Sequence, residues 1–150
     1  MPAPKPLVIP TATTPQVRKV MISNKGRNTS LELSLRSALR DGGFSGYKLN
    51  YRVAGTRTDI SYVTQKVAIL VHGCFWHHCS VCNFPLPRSH RNYWARKFAL
   101  TRIRDRKARR NIRKIGWRLF EVWEHEIKAN KAEHVNRIEN AIESYSKHAK

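Results

Sequence analysis

Between residues 29 and 40 the apolar positions Leu31, Leu35, Ala38 and Leu39 recur at helical spacing. They stand behind the candidate caps Asn28, Thr29 and Ser30, and Gly42 and Gly43 stop the pattern. This predicts one amphipathic helix. The period then shortens to two: Tyr47, Leu49, Tyr51 and Val53 alternate with Lys48, Asn50 and Arg52, the pattern of a half-buried strand that breaks at Ala54 and Gly55. Residues 67–71 form an unbroken aliphatic run bounded by polar residues, as expected of a central strand covered on both faces. Asp59, Ile60 and Tyr62 are expected to form the strand just before it. Residues 74–92 are rich in Cys, His, Pro and Asn, which predicts a loop held by something other than a core. From 93 to 115, Trp94, Phe98, Ile103, Ile112 and Ile115 mark a long helix ending at Gly116, followed by a strand over 117–123. Val135, Ile138, Ile142 and Tyr145 share one face of a last helix over 132–145. Helix, strands, helix, strand, helix predicts an α/β sandwich, with a small mixed central sheet flanked by helices.

Residues 1–16 hold five of the seven prolines and no apolar period, so they are read as a flexible, extended arm. Residues 17–150 are read as a single domain, as suits a chain of 150 residues. The longest aliphatic run is far short of the roughly 20 residues a membrane-spanning helix needs. Pro10 interrupts the N-terminal apolar stretch too early for a secretory signal. A cytoplasmic protein with no membrane partner is expected.

Charge alters the picture most. Twenty-nine Lys and Arg against ten Asp and Glu leave a net +19, and such a surface attracts polyanions, nucleic acid first among them. Twelve of the cations and a single acid, Asp105, lie between Arg88 and Lys114. Arg102, Arg104, Lys107, Arg109 and Arg110 on that stretch are the candidate phosphate contacts.

The three cysteines, Cys74, Cys79 and Cys82, fall within nine residues, and an odd number in a reducing compartment argues against disulfides. Cys79-x2-Cys82 is a chelating spacing, and thiolates suit zinc. A fourth ligand is needed, and His77, His78 and His125 are equal candidates on this ground. Four protein ligands would leave no open position, so the site reads as structural. Acids are scarce: before residue 121 there are only Glu32, Asp41, Asp59 and Asp105. If the strand after Asp59 pairs with the one ending at Val71 and His72, the Asp59 carboxylate and the Val71 carbonyl can share one Mg²⁺, with His72 and His77 beside it for proton transfer.

Taken together, His72-Gly73-Cys74-Phe75-Trp76-His77, Tyr93-Trp94, Lys97, Arg104-Asp105-Arg106, Gly116-Trp117-Arg118 and Trp123-Glu124 resemble, in order and spacing, the very-short-patch-repair (Vsr-type) DNA mismatch endonucleases. The resemblance extends to residues 28–32 and spans roughly residues 20–128. It implies the restriction-endonuclease-like three-layer sandwich with an added structural zinc loop. It implies Mg²⁺ held by Asp59 and the Val71 carbonyl, Glu32 and Asp105 near the active centre, and acid-base work by His72 and His77, with His77 the partner of the attacking water. It also implies zinc on Cys74, Cys79, Cys82 and His125, which chooses among the three histidines. Phe75, Trp76 and Trp94 would insert between base steps, and Met21 with Ile22 would probe the opposite groove. The chain departs from the family pattern at Thr58, where proline is usual, at Val71, where threonine is common, and at Thr101, where asparagine is frequent.

The activity so implied is Mg²⁺-dependent nicking of one strand beside a T:G mismatch. The partner expected is double-stranded, mismatched DNA, with other repair proteins beyond it, and the enzyme is expected to work as a monomer at the nucleoid. Two other readings fit the same residues: a nuclease of this fold acting on matched DNA, and a zinc-stapled DNA-binding module without catalysis.

Overall fold

Helix α1 (Ser30–Asp41) begins where Thr29 accepts the Glu32 amide on its hydroxyl and ends in a Schellman turn: the Gly43 amide reaches the Arg40 carbonyl and the Phe44 amide the Leu39 carbonyl. Gly43, at φ +89°, supplies the left-handed residue this turn requires. The computed structural model describes residues 6–11, 14–16, 18 and 29–148. The candidate cap Asn28 and the proposed groove probes Met21 and Ile22 lie outside the described residues. Within the proline-rich stretch, Pro15 and Gln16 are helical, and the Arg18 amide bonds the Thr14 carbonyl.

The alternating segment after α1 is split. Lys48–Leu49 (β1) joins one sheet and Arg52–Val53 (β2) another, because Asn50 takes a left-handed conformation between them at φ 53°. Period alone cannot show such a break. β2 pairs with Thr56–Arg57 (β3) through a two-residue turn in which Ala54 and Gly55 both have positive φ, as a type I′ hairpin needs. Ile60–Tyr62 (β4) follows, and then Val67–His72 (β5). The 24-residue helix α2 (Arg91–Lys114) closes in a second Schellman turn around Gly116 and leads into Arg118–Trp123 (β6).

The main sheet runs β1-β4-β5-β6, antiparallel except for the parallel β5–β6 pair, which α2 and the preceding loop connect. On one face, Val67, Ile69, Ile60 and Val122 pack against Leu35 and Leu39 of α1 and Ile138 and Ile142 of the last helix. On the other, Ala68 packs with Ile112 of α2 and Val53 of the hairpin. β5 is thus covered on both faces, as its unbroken run indicated. The fold is a mixed α/β arrangement of a small mixed sheet and, among the described residues, three long helices.

The last helix, α3 (Glu124–His148), starts well before the expected residue 132. It consists of two helical segments meeting at a kink at Asn130 (φ −157°, ψ 75°), whose side chain accepts the Glu133 amide and caps the second segment. The first segment lacks an apolar stripe, so hydrophobic period does not announce it, yet it bears His125. Among the described residues, no helix is long and apolar enough to cross a membrane.

Ile138 is fully buried where α3 meets α1 and the sheet. Ile138→Ala should therefore lower unfolding free energy by about 2–5 kcal/mol, measured by denaturant titration. A loss under about 1 kcal/mol would place this contact outside the folded core.

Candidate active site and metal centre

Side-chain alternation assigns the faces. On β5, Val67 and Ile69 point toward α1 and α3, so His72 points with Ala68 toward α2. On β6, Leu119, Glu121 and Trp123 share that second face. Four-residue spacing on α2 places Thr101, Asp105 and Arg109 in line above the sheet, one turn before the buried Ile112. His77 arrives from the loop that follows β5.

His72 is the centre of this group. Only 3% exposed, its ring lies tilted against those of His77 and Trp123, with centroids 4.2 and 4.8 Å away, and its Nε2 lies 3.1 Å from Glu121 Oε1. His77 Nδ1 lies 2.7 Å from Asp105 Oδ2. Ligand atoms of His72, His77 and Asp105 all fall within 4.8 Å of one another. These three line an open cleft of about 440 Å³ together with Arg102, Arg106 and Arg109.

Asp59 lies on the other side of His72, just before β4, and is not among the cleft's lining residues. Its Oδ2 accepts the Val71 amide at 2.7 Å, and its own amide bonds the Ile69 carbonyl. In a strand, the amide and carbonyl of one residue leave by the same edge, so the Val71 carbonyl also faces the Asp59 side. Burial pushes the Asp59 carboxyl above its ordinary value; nearby Glu32 adds to this, while the Val71 amide, His72 and Arg57 offset part of it. Glu32 is itself buried and paired with Arg36 at 3.1 Å. A carboxyl held up by burial and a second carboxylate, next to a backbone carbonyl, is a donor set of hard oxygens that suits Mg²⁺.

Where the family pattern has proline, Thr58 is fully buried. Its amide and hydroxyl both bond the Tyr51 carbonyl, at 2.9 and 2.8 Å, and the hydroxyl also meets Ser61. Hydrogen bonding replaces ring rigidity in holding the backbone ahead of Asp59.

The loop after Gly73 winds back on itself through bonds from the His77 amide to the Gly73 carbonyl and from the Cys79 amide to the Cys74 carbonyl. Cys74, Cys79, Cys82 and His125 thereby present ligand atoms within 4.8 Å of one another. Tetrahedral zinc, with bonds of about 2.3 Å to sulfur and 2.0–2.1 Å to nitrogen, spaces its ligand atoms roughly 3.5–3.8 Å apart. His125 Nδ1 stands 3.6 Å from Cys79 Sγ, within that spacing, and 3.2 Å from Cys74 Sγ, slightly inside it, and three thiols with one imidazole are a donor set that suits zinc. Burial pushes the Cys74 thiol up to about 12. At Cys79, burial is outweighed by the Cys82 and Val81 amides and the neighbouring thiols, which lower it. Of the three candidate fourth ligands, His125 joins the thiols, His77 pairs with Asp105, and His78 stacks on Phe98 at 4.7 Å.

Phe75, Trp76 and Trp94 are half-buried and touch one another around Phe98, with Lys97 Nζ 5.1 Å from the rings of both tryptophans. Arg102, Arg104, Lys107 and Arg110 are exposed along α2. Arg109 differs: its fork closes on Glu121, Nε to Oε2 at 2.6 Å and Nη2 to Oε1 at 2.8 Å. Glu121 and the cleft residue Arg106 are functional candidates that sequence reading missed. An acid inside the apolar strand Leu119-Phe120-Glu121-Val122 is the signal that could have found the first.

A family model described as DNA mismatch endonuclease Vsr matches residues 11–83. The type II nicking enzyme V.XorIIP of Xanthomonas oryzae pv. oryzae is 30% identical over 115 residues, covering 76% of this chain and 84% of that protein. The type II nicking enzyme V.NmeAIP of Neisseria meningitidis serogroup A is 33% identical over 133 residues, covering 87% of this chain and 94% of that protein. The DNA mismatch endonuclease Vsr of Escherichia coli K12 is 32% identical over 98 residues, covering 65% of this chain and 62% of that protein.

Burial pushes the Glu121 carboxyl up, but hydrogen bonds from His72 and Arg109 and their charges outweigh it and bring it to about 2 from an ordinary 4.5. A depressed carboxyl contributes stability that is fully present above its unfolded value and lost as pH falls through the folded one, here from 4.5 toward about 2. The loss should be on the order of 2–3 kcal/mol, seen as a steeper acid-induced fall in stability for the wild type than for Glu121→Gln. Equal slopes in that window would mean the carboxylate is not held as described.

Proposed function

The chain belongs to the Vsr family of restriction-endonuclease-like DNA endonucleases, and from that premise we propose that it nicks one strand of duplex DNA beside a T:G mismatch, the lesion left by deaminated 5-methylcytosine. The observation that carries the reading is the gathering of His72, His77 and Asp105 at one cleft, with Asp59 behind His72 and a basic helix alongside.

Asp59 and the Val71 carbonyl, with Glu32 near, would hold Mg²⁺, which when bound supplies positive charge against the phosphate under attack. Asp105 holds His77 Nδ1, leaving Nε2 to accept the proton of a water that attacks phosphorus in line; the P–O3′ bond breaks, and the leaving oxygen takes up a proton. Arg102, Arg104, Lys107 and Arg110 bind backbone phosphates, so affinity falls steeply with salt. Phe75, Trp76 and Trp94 press on the base stack, where a mismatch unstacks at lower cost than a Watson-Crick pair.

Cys74, Cys79, Cys82 and His125 would hold a structural zinc that fastens the loop bearing His77 to the start of α3. A second reading is a nicking enzyme of different specificity acting on matched DNA; V.XorIIP and V.NmeAIP are themselves named type II nicking enzymes.

Incubated with labelled duplexes and Mg²⁺, the wild type should nick the T:G strand well ahead of its matched counterpart. Asp59→Ala should lose more than about two orders of magnitude in rate, and His77→Ala about 10²–10⁴-fold. Equal nicking of both duplexes would transfer the assignment to the matched-DNA reading; no nicking of either by the wild type would discredit both. As an independent expectation, the purified protein should contain about one zinc per chain, and a strong chelator should unfold it rather than merely stop turnover. Unchanged circular dichroism after zinc removal would rule out the structural role.

A further inference from the structure

We infer that Glu121, clamped by Arg109, is a positioning residue for His72: it fixes a proton on Nε2 and so leaves Nδ1 as the acceptor of the ring. This rests on the proposed nuclease reading of the site and extends it to two residues that reading does not use.

Glu121 Oε1 lies 3.1 Å from His72 Nε2 and 2.8 Å from Arg109 Nη2, and Oε2 lies 2.6 Å from Arg109 Nε. An ionised carboxylate only accepts hydrogen bonds, so the nitrogen facing it must carry the hydrogen. Hydrogen bonds from His72 and Arg109 hold the Glu121 carboxyl well below the usual carboxylate range, so it is ionised near neutral pH. The ring is held between His77 and Trp123 and is almost wholly buried, which leaves it little freedom to turn over.

That arrangement defines the opposite nitrogen. His72 Nδ1 is buried and has no hydrogen-bond partner among the described residues. Buried polar atoms are nearly always partnered, so the bare Nδ1 of this cleft-lining ring is left to accept from a donor other than the described side chains. With no hydrogen of its own, Nδ1 accepts, which suits a water or another O–H donor rather than a phosphate oxygen.

The arrangement also gives Arg109 a task different from phosphate binding. Its planar fork matches the carboxylate through two bonds, which a lysine ammonium cannot reproduce while keeping the same charge.

The test uses the full-length chain. Long-range ¹⁵N–¹H correlation spectra of the imidazoles should show His72 protonated at Nε2 in the wild type, and a mixture of tautomers in Glu121→Ala. In nicking assays Glu121→Ala and Arg109→Lys should each lower kcat by about 10–100-fold with KM nearly unchanged. Glu121→Gln, whose amide oxygen can still accept from Nε2, should restore much of the rate and covers the case in which the alanine variant fails to fold. A wild-type ring carrying its proton on Nδ1 alone overturns the inference. So does an Arg109→Lys variant that keeps kcat and loses only affinity, the outcome expected of a phosphate contact. If no duplex is nicked but the tautomer behaves as stated, the nuclease reading fails while the positioning by Glu121 stands.

Discussion

The parallel register of β5 against β6 governs both centres of this protein. Pairing His72 with Trp123 brings Glu121 within reach of His72 on one face. Continued past the strand ends, the same alignment sets Cys74 opposite His125. Because side chains alternate, a slip of one residue would move Glu121 to the face of α1 and α3 and draw His125 away from the thiols. The buried packing of β5 on both faces, Ile69 on one side and Ala68 on the other, resists such a slip. Hydrophobic packing thus fixes geometry that hydrogen bonds and thiols then use.

The two centres are also joined through the chain. His77 sits between Cys74 and Cys79 in sequence, and the winding that brings those cysteines together delivers the imidazole to Asp105. The loop has little core of its own, so its anchorage rests on the sulfur cluster and on Phe98, which receives Phe75 and His78. His125 comes from a helix whose distal part, through Val135, Ile138 and Ile142, belongs to the main core.

Much of this was legible in the sequence because the determining features are local. The glycine stops at Gly43 and Gly116, the aliphatic run of β5, the Cys79-x2-Cys82 spacing and the scarcity of acids each mark their positions without reference to distant residues. The features that were not legible are those set by contact. The split at Asn50 depends on two sheets competing for one segment, and the helical start of α3 is held by packing and capping rather than by an apolar stripe. Arg109 looked like any other cation of its helix until β6 placed Glu121 beneath it. Asp59 and His72 fell near each other as the pairing of their strands required, whereas Glu32 owes its proximity to the way α1 approaches the sheet end.

The exposed side of α2 has an energetic cost of its own. Arg102, Arg106 and Arg110 follow one another at four-residue intervals, so each guanidinium sits above the next along a ladder of like charge. Mutual repulsion strains the unbound helix, and dissolved ions relieve it. Ionic strength therefore firms the free fold by screening the ladder, while at the proposed phosphate contacts it would act the other way. The conditions in which the isolated protein is sturdiest are then those in which the proposed grip on a polyanion would be least.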